Sequence, residues 1–238
     1  MNRDYSKYIN RPGYQAPSGY DPNKYFRPSV AVDLLIFSFF EQKLHLLLIQ
    51  RKNLPFQGYW ALPGGFVEKD EDLRQTAQRE LFEETGLKNL RLIELGAFGH
   101  PLRDPRTRVI SIAYLSIVRK ERVKPRAGDD AKEVGWFPLR KLPELAFDHE
   151  LIIKSALARL KELAILSPIL ADFLSEKFSA EELAGLCREI FRKKIPSQTL
   201  IKEFQKRNLL KTLSGGKFKF LRKNFYLCSL SFLIAREK

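Results

Sequence analysis

The chain has 238 residues, enough for one large or two ordinary domains, and 44% hydrophobic content supports a sizeable core. Only Cys187 and Cys228 are available as thiols, which argues against a disulfide framework, and no apolar run is long enough to span a bilayer. The opening MNRDYSKYINRPGYQ lacks an apolar signal region, so a soluble cytoplasmic protein with no membrane partner is expected. The 42 Lys or Arg exceed the 28 Asp or Glu by 14.

Residues 1–27 carry Tyr5, Tyr8, Tyr14, Tyr20 and Tyr25 among Pro, Gly and Asn without a period, which predicts an irregular arm. Ser29–Phe40 is a continuous apolar, β-branched run and reads as a buried strand. A polar turn at Glu41–Lys43 leads to a second strand over Leu44–Arg51. A loop from Asn53 to Tyr59 follows, then Trp60–Leu62 and the glycine pair Gly64 and Gly65. Glycine lets backbone approach a ligand closely.

Gly65–Leu87, GFVEKDEDLRQTAQRELFEETGL, is a glycine turn followed by an acidic helix. Asp70 or Asp72 caps its start and Gly86 its end. Leu73, Ala77 and Leu81 recur every four residues as a buried stripe. Glu80, Glu83 and Glu84 share a second face, at a mutual cost of a few tenths of a kcal/mol per pair, roughly, on a bare helix. A solvated acidic face explains a negative helix but not this clustering, which a hard divalent cation would offset.

Leu90–Phe98 and Val109–Val118 read as strands. The segment between them holds Arg103, Arg106 and Arg108, ordered by two prolines and suited to bidentate contact with a pyrophosphate; a solvated loop is the alternative. A charged loop ends at Gly128, Asp129 and Asp130, and Trp136-Phe137 opens a short strand. The order β-β-α-β-β plus a closing helix predicts a mixed α/β sandwich. A long helical pattern begins at Ala146–His149 and runs through Leu163; His149 near its start is placed to touch a ligand, though a lone histidine is more often a structural hydrogen-bonding residue.

From about residue 150 the character changes. Residues 188–238 hold 14 Lys or Arg against three Glu, a net +11. Ser179–Glu182 is a capping box opening a helix, and Ile169–Phe173 and Ser197–Asn208 read as further helices. Lys211–Tyr226 reads as a hairpin turning at Ser214–Lys217. Two helices joined by a short turn and followed by a basic hairpin give the order of a winged helix-turn-helix. Gln198, Thr199, Lys202, Gln205 and Lys206 form the polar face expected in a DNA major groove, with Lys217, Lys219, Arg222 and Lys223 on phosphates. A dimer reading a two-fold operator is the physical expectation, and the basic charge weighs against a mere dimerisation element.

Gly65, Glu71, Arg79, Glu80, Leu81, Glu83, Glu84, Gly86 and Leu87 fill every specified position of the Nudix box, which this stretch resembles. The resemblance implies a Nudix α/β/α sandwich over residues 28–150, followed by a winged helix module over 151–238, and a pyrophosphohydrolase acting on a nucleoside diphosphate derivative. It implies that Glu80, Glu83, Glu84 and the Gly64 carbonyl ligate Mg²⁺ or Mn²⁺, that Arg79 orients the glutamates, and that Glu71 anchors the loop. Asp129, Asp130 or Glu133 supplies a further carboxylate, with Asp130 on the substrate side; the choice stays open. Phe56 or Trp60 is a candidate to stack on a base. RPSVAVD, WALPGGFVE, DPRTRVISIAYL, DDAKEVGWF and AFDHELI, then KFSAEELAGLCREIF, resemble the Nudix-related transcriptional regulators. Those bind ADP-ribose or a sugar ligand and operator DNA as dimers, often without the catalytic glutamates, which are intact in this sequence. The expectation is therefore a Mg-dependent hydrolase of ADP-ribose fused to a DNA-binding module, with a regulator of little hydrolysis as the alternative.

Overall fold

The computed structural model describes residues 15–128 and 131–221. Eight strands and five helices carry the architecture: β1 Ser29–Phe40, β2 Lys43–Arg51, β3 Trp60–Ala61, α1 Leu73–Thr85, β4 Ile93–Phe98, β5 Val109–Ile117, β6 Ala131–Pro138, α2 His149–Leu166, α3 Leu170–Phe173, α4 Ala180–Phe191, α5 Ser197–Lys206, β7 Leu210–Thr212 and β8 Phe218–Phe220. The first six strands form one mixed sheet in the order β3-β2-β1-β5-β4, with β6 also paired to β2.

The sheet is split where the glycine pair needs to be. β1 and β2 pair only between Phe37–Phe40 and Lys43–Leu46 and then part. The chain from Trp60 to Val67 fills the gap. On one side Trp60 and Ala61 pair with Gln50 and Ile49. On the other, Leu34 and Val32 donate their amides to the Pro63 and Gly65 carbonyls, and Val67 donates to Val30. β1 holds its far edge by nine parallel partners in β5, from Ser29↔Val109 to Phe37↔Ile117.

Alternation along β1 sorts its side chains onto two faces. Val32, Leu34 and Ile36 meet Ala77 and Leu81 of α1 on one face. Leu35, Phe37 and Phe39 meet Ile152, Ala156 and Leu160 of α2 on the other. A strand buried on both faces has to be apolar throughout, which is why Ser29–Phe40 lacks the alternation of a half-exposed strand. β1 and the start of β5 lie as the sequence pattern predicts, and β5 ends one residue earlier, at Ile117. β4 starts later, at Ile93, because residues 90–92 form no ladder. β6 is longer than the expected Trp136-Phe137.

α1 starts at Asp72, whose carboxylate accepts from the Arg74 and Gln75 amides while Gln75 returns a bond to the Asp72 amide. This settles the choice between Asp70 and Asp72. Gly86, at φ 69°, ends the helix in the left-handed region. α2 begins at His149, three residues after the expected start.

The C-terminal elements share the core of the sheet. Leu183, Leu186, Leu200 and Phe204 belong to one apolar cluster with Phe37 and Leu46. The predicted capping box at Ser179 and Glu182 forms, and β7 pairs with β8 from Leu210↔Phe220 to Thr212↔Phe218. A Cβ on Gly185 would lie 1.8 Å from the Gln42 side-chain oxygen, so α4 presses against the β1–β2 turn through its glycine. Glu189 is buried there, held by Arg140 at 3.0 Å and close to the Leu44 amide. Cys187 is a buried free thiol, pushed by burial to about 12, as a core cysteine should be. Cys228, Tyr5, Tyr8, Tyr14, Asp129, Asp130, Arg222 and Lys223 lie outside the described residues.

Candidate active site

The cleft forms where the Trp60–Val67 wedge crosses above α1. A Cβ at Gly65 would sit 2.2 Å from Glu80 Oε1, and one at Gly64 would sit 2.0 Å from the Val32 carbonyl oxygen. Only glycine lets helix and loop come so close, and Gly64 is further excluded from other residues by its φ of 156°. Its amide donates to Glu84 Oε2 at 2.7 Å, tying the wedge to the helix.

Arg79 organises the acidic face. Its Nε donates to Glu71 Oε1 at 2.7 Å, and Nη1 donates to Glu80 at 2.7 Å and Glu83 at 2.9 Å. Nη2 donates to Glu71 Oε2 and to the Phe66 carbonyl, both at 3.0 Å. One guanidinium thereby joins the loop to three carboxylates, which is geometry that a planar five-donor fork allows and lysine would not. Arg79 holds the Glu71 carboxyl down to about 2. Burial pushes Glu80 above the ordinary glutamate range even though Arg79 opposes the shift. Glu80 and Glu84 are buried, while the Glu83 side chain is about half exposed.

Arg51 and Arg106 line a cavity of about 410 Å³ together with Glu80, Glu84 and Arg79. Arg51 donates to the Pro55 carbonyl at 2.8 Å and lies over the Phe147 ring at 4.9 Å. Arg106 pairs with Asp104 at 2.7 Å and lies over Phe66 at 5.1 Å. Burial, followed by the charge of Arg106, pushes the Arg51 guanidinium below its ordinary value. The cleft thus brings cations and buried acids to one cavity, an arrangement that suits a polyphosphate bridged to the acids by a divalent ion.

The residues fit such an ion by the chemistry of their donors. Glu80 and Glu84 are buried carboxylates whose oxygens are hard donors of the kind a divalent ion takes, and Arg79 is shared by Glu71, Glu80 and Glu83. Among the described residues, no three acidic, histidine or cysteine side chains converge at ligating distance; Arg79 engages Glu80 and Glu83 instead.

The three predicted arginines separate. Arg106 lines the cavity. Arg103 is buried, with Nη2 at 2.7 Å from Asp148 and 3.2 Å from Asp33. Arg108 does not line the cavity, and its Nη1 is buried without a hydrogen-bond partner. His149 is structural in position: Nδ1 accepts the Leu62 amide at 2.9 Å, and Nε2 faces Asp33 at 3.4 Å. Trp60 packs edge-on against Phe137 in the core, and Phe56 packs against Tyr59 and Phe147. Arg51 and Phe147 were missed by sequence reasoning. Arg51 reads there as the end of a strand, and only the tertiary fold sets its guanidinium over the Phe147 ring.

On the C-terminal elements Gln198, Thr199, Lys202 and Lys206 are exposed on one side of α5. Gln205 bonds Thr212 Oγ1 at 2.8 Å, Lys217 lies 3.7 Å from Glu182, and Lys219 pairs with Glu176.

A mixed sheet between helical layers, split by a double-glycine wedge above a glutamate-rich helix, defines a Nudix-type pyrophosphohydrolase. Residues 27–160 match the NUDIX domain model, and the chain belongs to that family. It is 51% identical over 130 residues to an ADP-ribose pyrophosphatase of Methanocaldococcus jannaschii, covering 55% of this chain and 73% of the relative. It is 32% identical over 171 residues to the ADPR responsive transcriptional repressor NtrR of Acinetobacter baylyi, covering 70% and 68%. The crystal structure of Shewanella oneidensis NrtR complexed with a 27mer DNA matches with a TM-score of 0.67 at 29% identity, covering 84% of this chain and 96% of that one.

Proposed function

We propose that the chain hydrolyses ADP-ribose to AMP and ribose 5-phosphate in a Mg²⁺-dependent reaction, and that α4, α5 and the β7–β8 hairpin form a winged helix-turn-helix that binds operator DNA as a homodimer. The observation that carries the hydrolytic reading is that Glu80 and Glu84 line one cavity with Arg51 and Arg106. The similarity to an ADP-ribose pyrophosphatase supports the substrate, and the similarity to an ADPR responsive repressor and a DNA-bound relative supports the second module.

Glu80 and Glu84, with Glu83 and the Gly64 carbonyl, would hold the divalent ion, which supplies charge neutralisation and lowers the pKa of bound water. Arg106 and Arg51 neutralise and orient the diphosphate. Arg79 fixes the rotamers of the glutamates, and Glu71 fixes Arg79. The Gly64 amide on Glu84 sets the distance between wedge and helix. Asp129, Asp130 and Glu133 remain the candidate bases. A ligand sensor with little turnover is favoured by one observation: the likeness to the repressor extends over 70% of the chain, beyond the catalytic domain.

Incubation with ADP-ribose and Mg²⁺ should release AMP and ribose 5-phosphate; no turnover, or equal turnover in Glu84→Gln, overturns the enzymatic reading. Binding to the DNA upstream of its own gene should weaken steeply with salt and respond to ADP-ribose. Lys202→Ala with Lys206→Ala should reduce that affinity; unchanged affinity removes α5 as the recognition helix.

A further inference from the structure

Beyond the cleft, four cations line a cavity of about 320 Å³. It opens at the far end of β5 and shares no residue with the cleft. The nine residues of β5 put the two ends of that strand roughly 27 Å apart at about 3.4 Å per residue. Lys88, Arg91, Arg119 and Arg122 surround the cavity, against the single carboxylate of Asp172. Its apolar wall comes from residues such as Ile93, Ile117 and Val123.

Two of the cations are held in place by α3. Arg119 donates to the Ala171 carbonyl at 3.1 Å, and Arg91 lies 3.9 Å from Asp172. The other two form no ion pair among the described residues: Lys88 lies over the Phe82 ring at 4.0 Å, and Arg122 is exposed. Lys88, Arg91 and Arg122 are exposed and Arg119 is half-buried, so the cations stand at the rim of the concavity, and its wall is apolar surface that water solvates poorly.

We infer that this cavity is a second ligand site, for a small phosphomonoester of mononucleotide size. The cations receive the phosphate, with the guanidinium groups of Arg91, Arg119 and Arg122 suited to its oxygens. The apolar wall receives a ring, and Asp172 accepts a hydroxyl. A duplex backbone offers phosphates but no apolar group to fill the wall, so a small amphipathic anion fits better than DNA. Because Arg119 and Arg91 contact α3, occupancy bears on the seam between the catalytic sheet and the C-terminal helices. The inference does not depend on what the cleft hydrolyses.

The test uses AMP as the probe, titrated by calorimetry into full-length Glu84→Gln protein without divalent metal. One saturable site is expected, weakened about tenfold or more when Arg91→Glu and Arg122→Glu are combined in that background, since two charge-assisted contacts are lost. Both side chains are exposed, so the fold should persist, and the same pair in the wild-type background should leave cleft activity unchanged. Absence of a saturable site overturns the inference, as does equal affinity in the charge-reversed protein, which would place AMP in the cleft. If the charge reversal removes duplex DNA binding and leaves AMP affinity intact, the surface serves nucleic acid and the inference falls.

Discussion

Two ionic clusters flank the Gly64–Gly65 wedge and differ in how far they are buried. On the α1 side, Arg79 serves Glu71, Glu80 and Glu83, so carboxylates outnumber the cation. On the α2 side, Arg103 forks onto Asp148 and reaches Asp33, which also accepts from Ser111 at 2.5 Å and faces His149. Burial alone would raise the Asp33 carboxyl, yet His149, Arg103 and Ser111 together hold it below its ordinary value. In the first cluster three carboxylates share one guanidinium beside the open cleft. The second locks β1, the arginine loop and the start of α2 together. Burial distinguishes them: the Arg103 and Asp33 side chains are almost wholly enclosed, while those of Arg79 and Glu83 reach solvent.

Breaking the acidic face of α1 should cost activity rather than stability. Glu84→Gln should reduce turnover by about a thousandfold, equivalent to roughly 4 kcal/mol of transition-state stabilisation. Its melting temperature should change little, because glutamine keeps a side-chain oxygen for the Gly64 amide; calorimetry beside initial rates reads both. Arg103→Met should do the opposite. It strands Asp33 and Asp148 in a buried setting and should cost about 3–5 kcal/mol in urea unfolding, with turnover per folded molecule less affected than stability.

Glu71→Gln lies between the two. The Glu71 carboxyl is held down to about 2 chiefly by Arg79, so its stabilisation is complete above the ordinary glutamate range near 4.5 and disappears as pH falls toward 2. Wild-type stability should therefore fall across that window more steeply than that of the variant. Metal affinity should drop about tenfold in the variant, since the partner that holds Arg79 against Glu80 and Glu83, the proposed ligands, is lost; a steeper variant curve would remove Glu71 from the network. The smallest effect is expected from Asp72→Ala, which removes the α1 cap and should cost about 1 kcal/mol with little change in the cleft.

Much of this was legible in the linear pattern. The spacing of Leu73, Ala77 and Leu81 set the face of α1, and the spacing of Glu80, Glu83 and Glu84 set the acidic face, because both depend only on helical period. Asp72 and Gly86 act within a turn of their own positions, so their capping roles are local too. The arginine loop was harder. Spacing presented Arg103, Arg106 and Arg108 as equivalent, but their partners lie up to 70 residues away in the chain, and Asp33 and Asp148 take Arg103 into the interior. Arg51 and Phe147, nearly a hundred positions apart, could not be linked by any local rule.

The linear pattern carried the family, the acidic helix with Glu80, Glu83 and Glu84 on one face, and the order of helices and hairpin at the C-terminal end, since period, caps and glycine placement are short-range properties. Tertiary structure alone decided which arginine faces the cavity and which is buried, how β1 and β2 part to admit the glycine wedge, and how Lys88 and Arg91 come to line one cavity with Arg119 and Arg122. Those outcomes rest on contacts between segments far apart in the chain, where burial and charge balance, rather than spacing, select the partner.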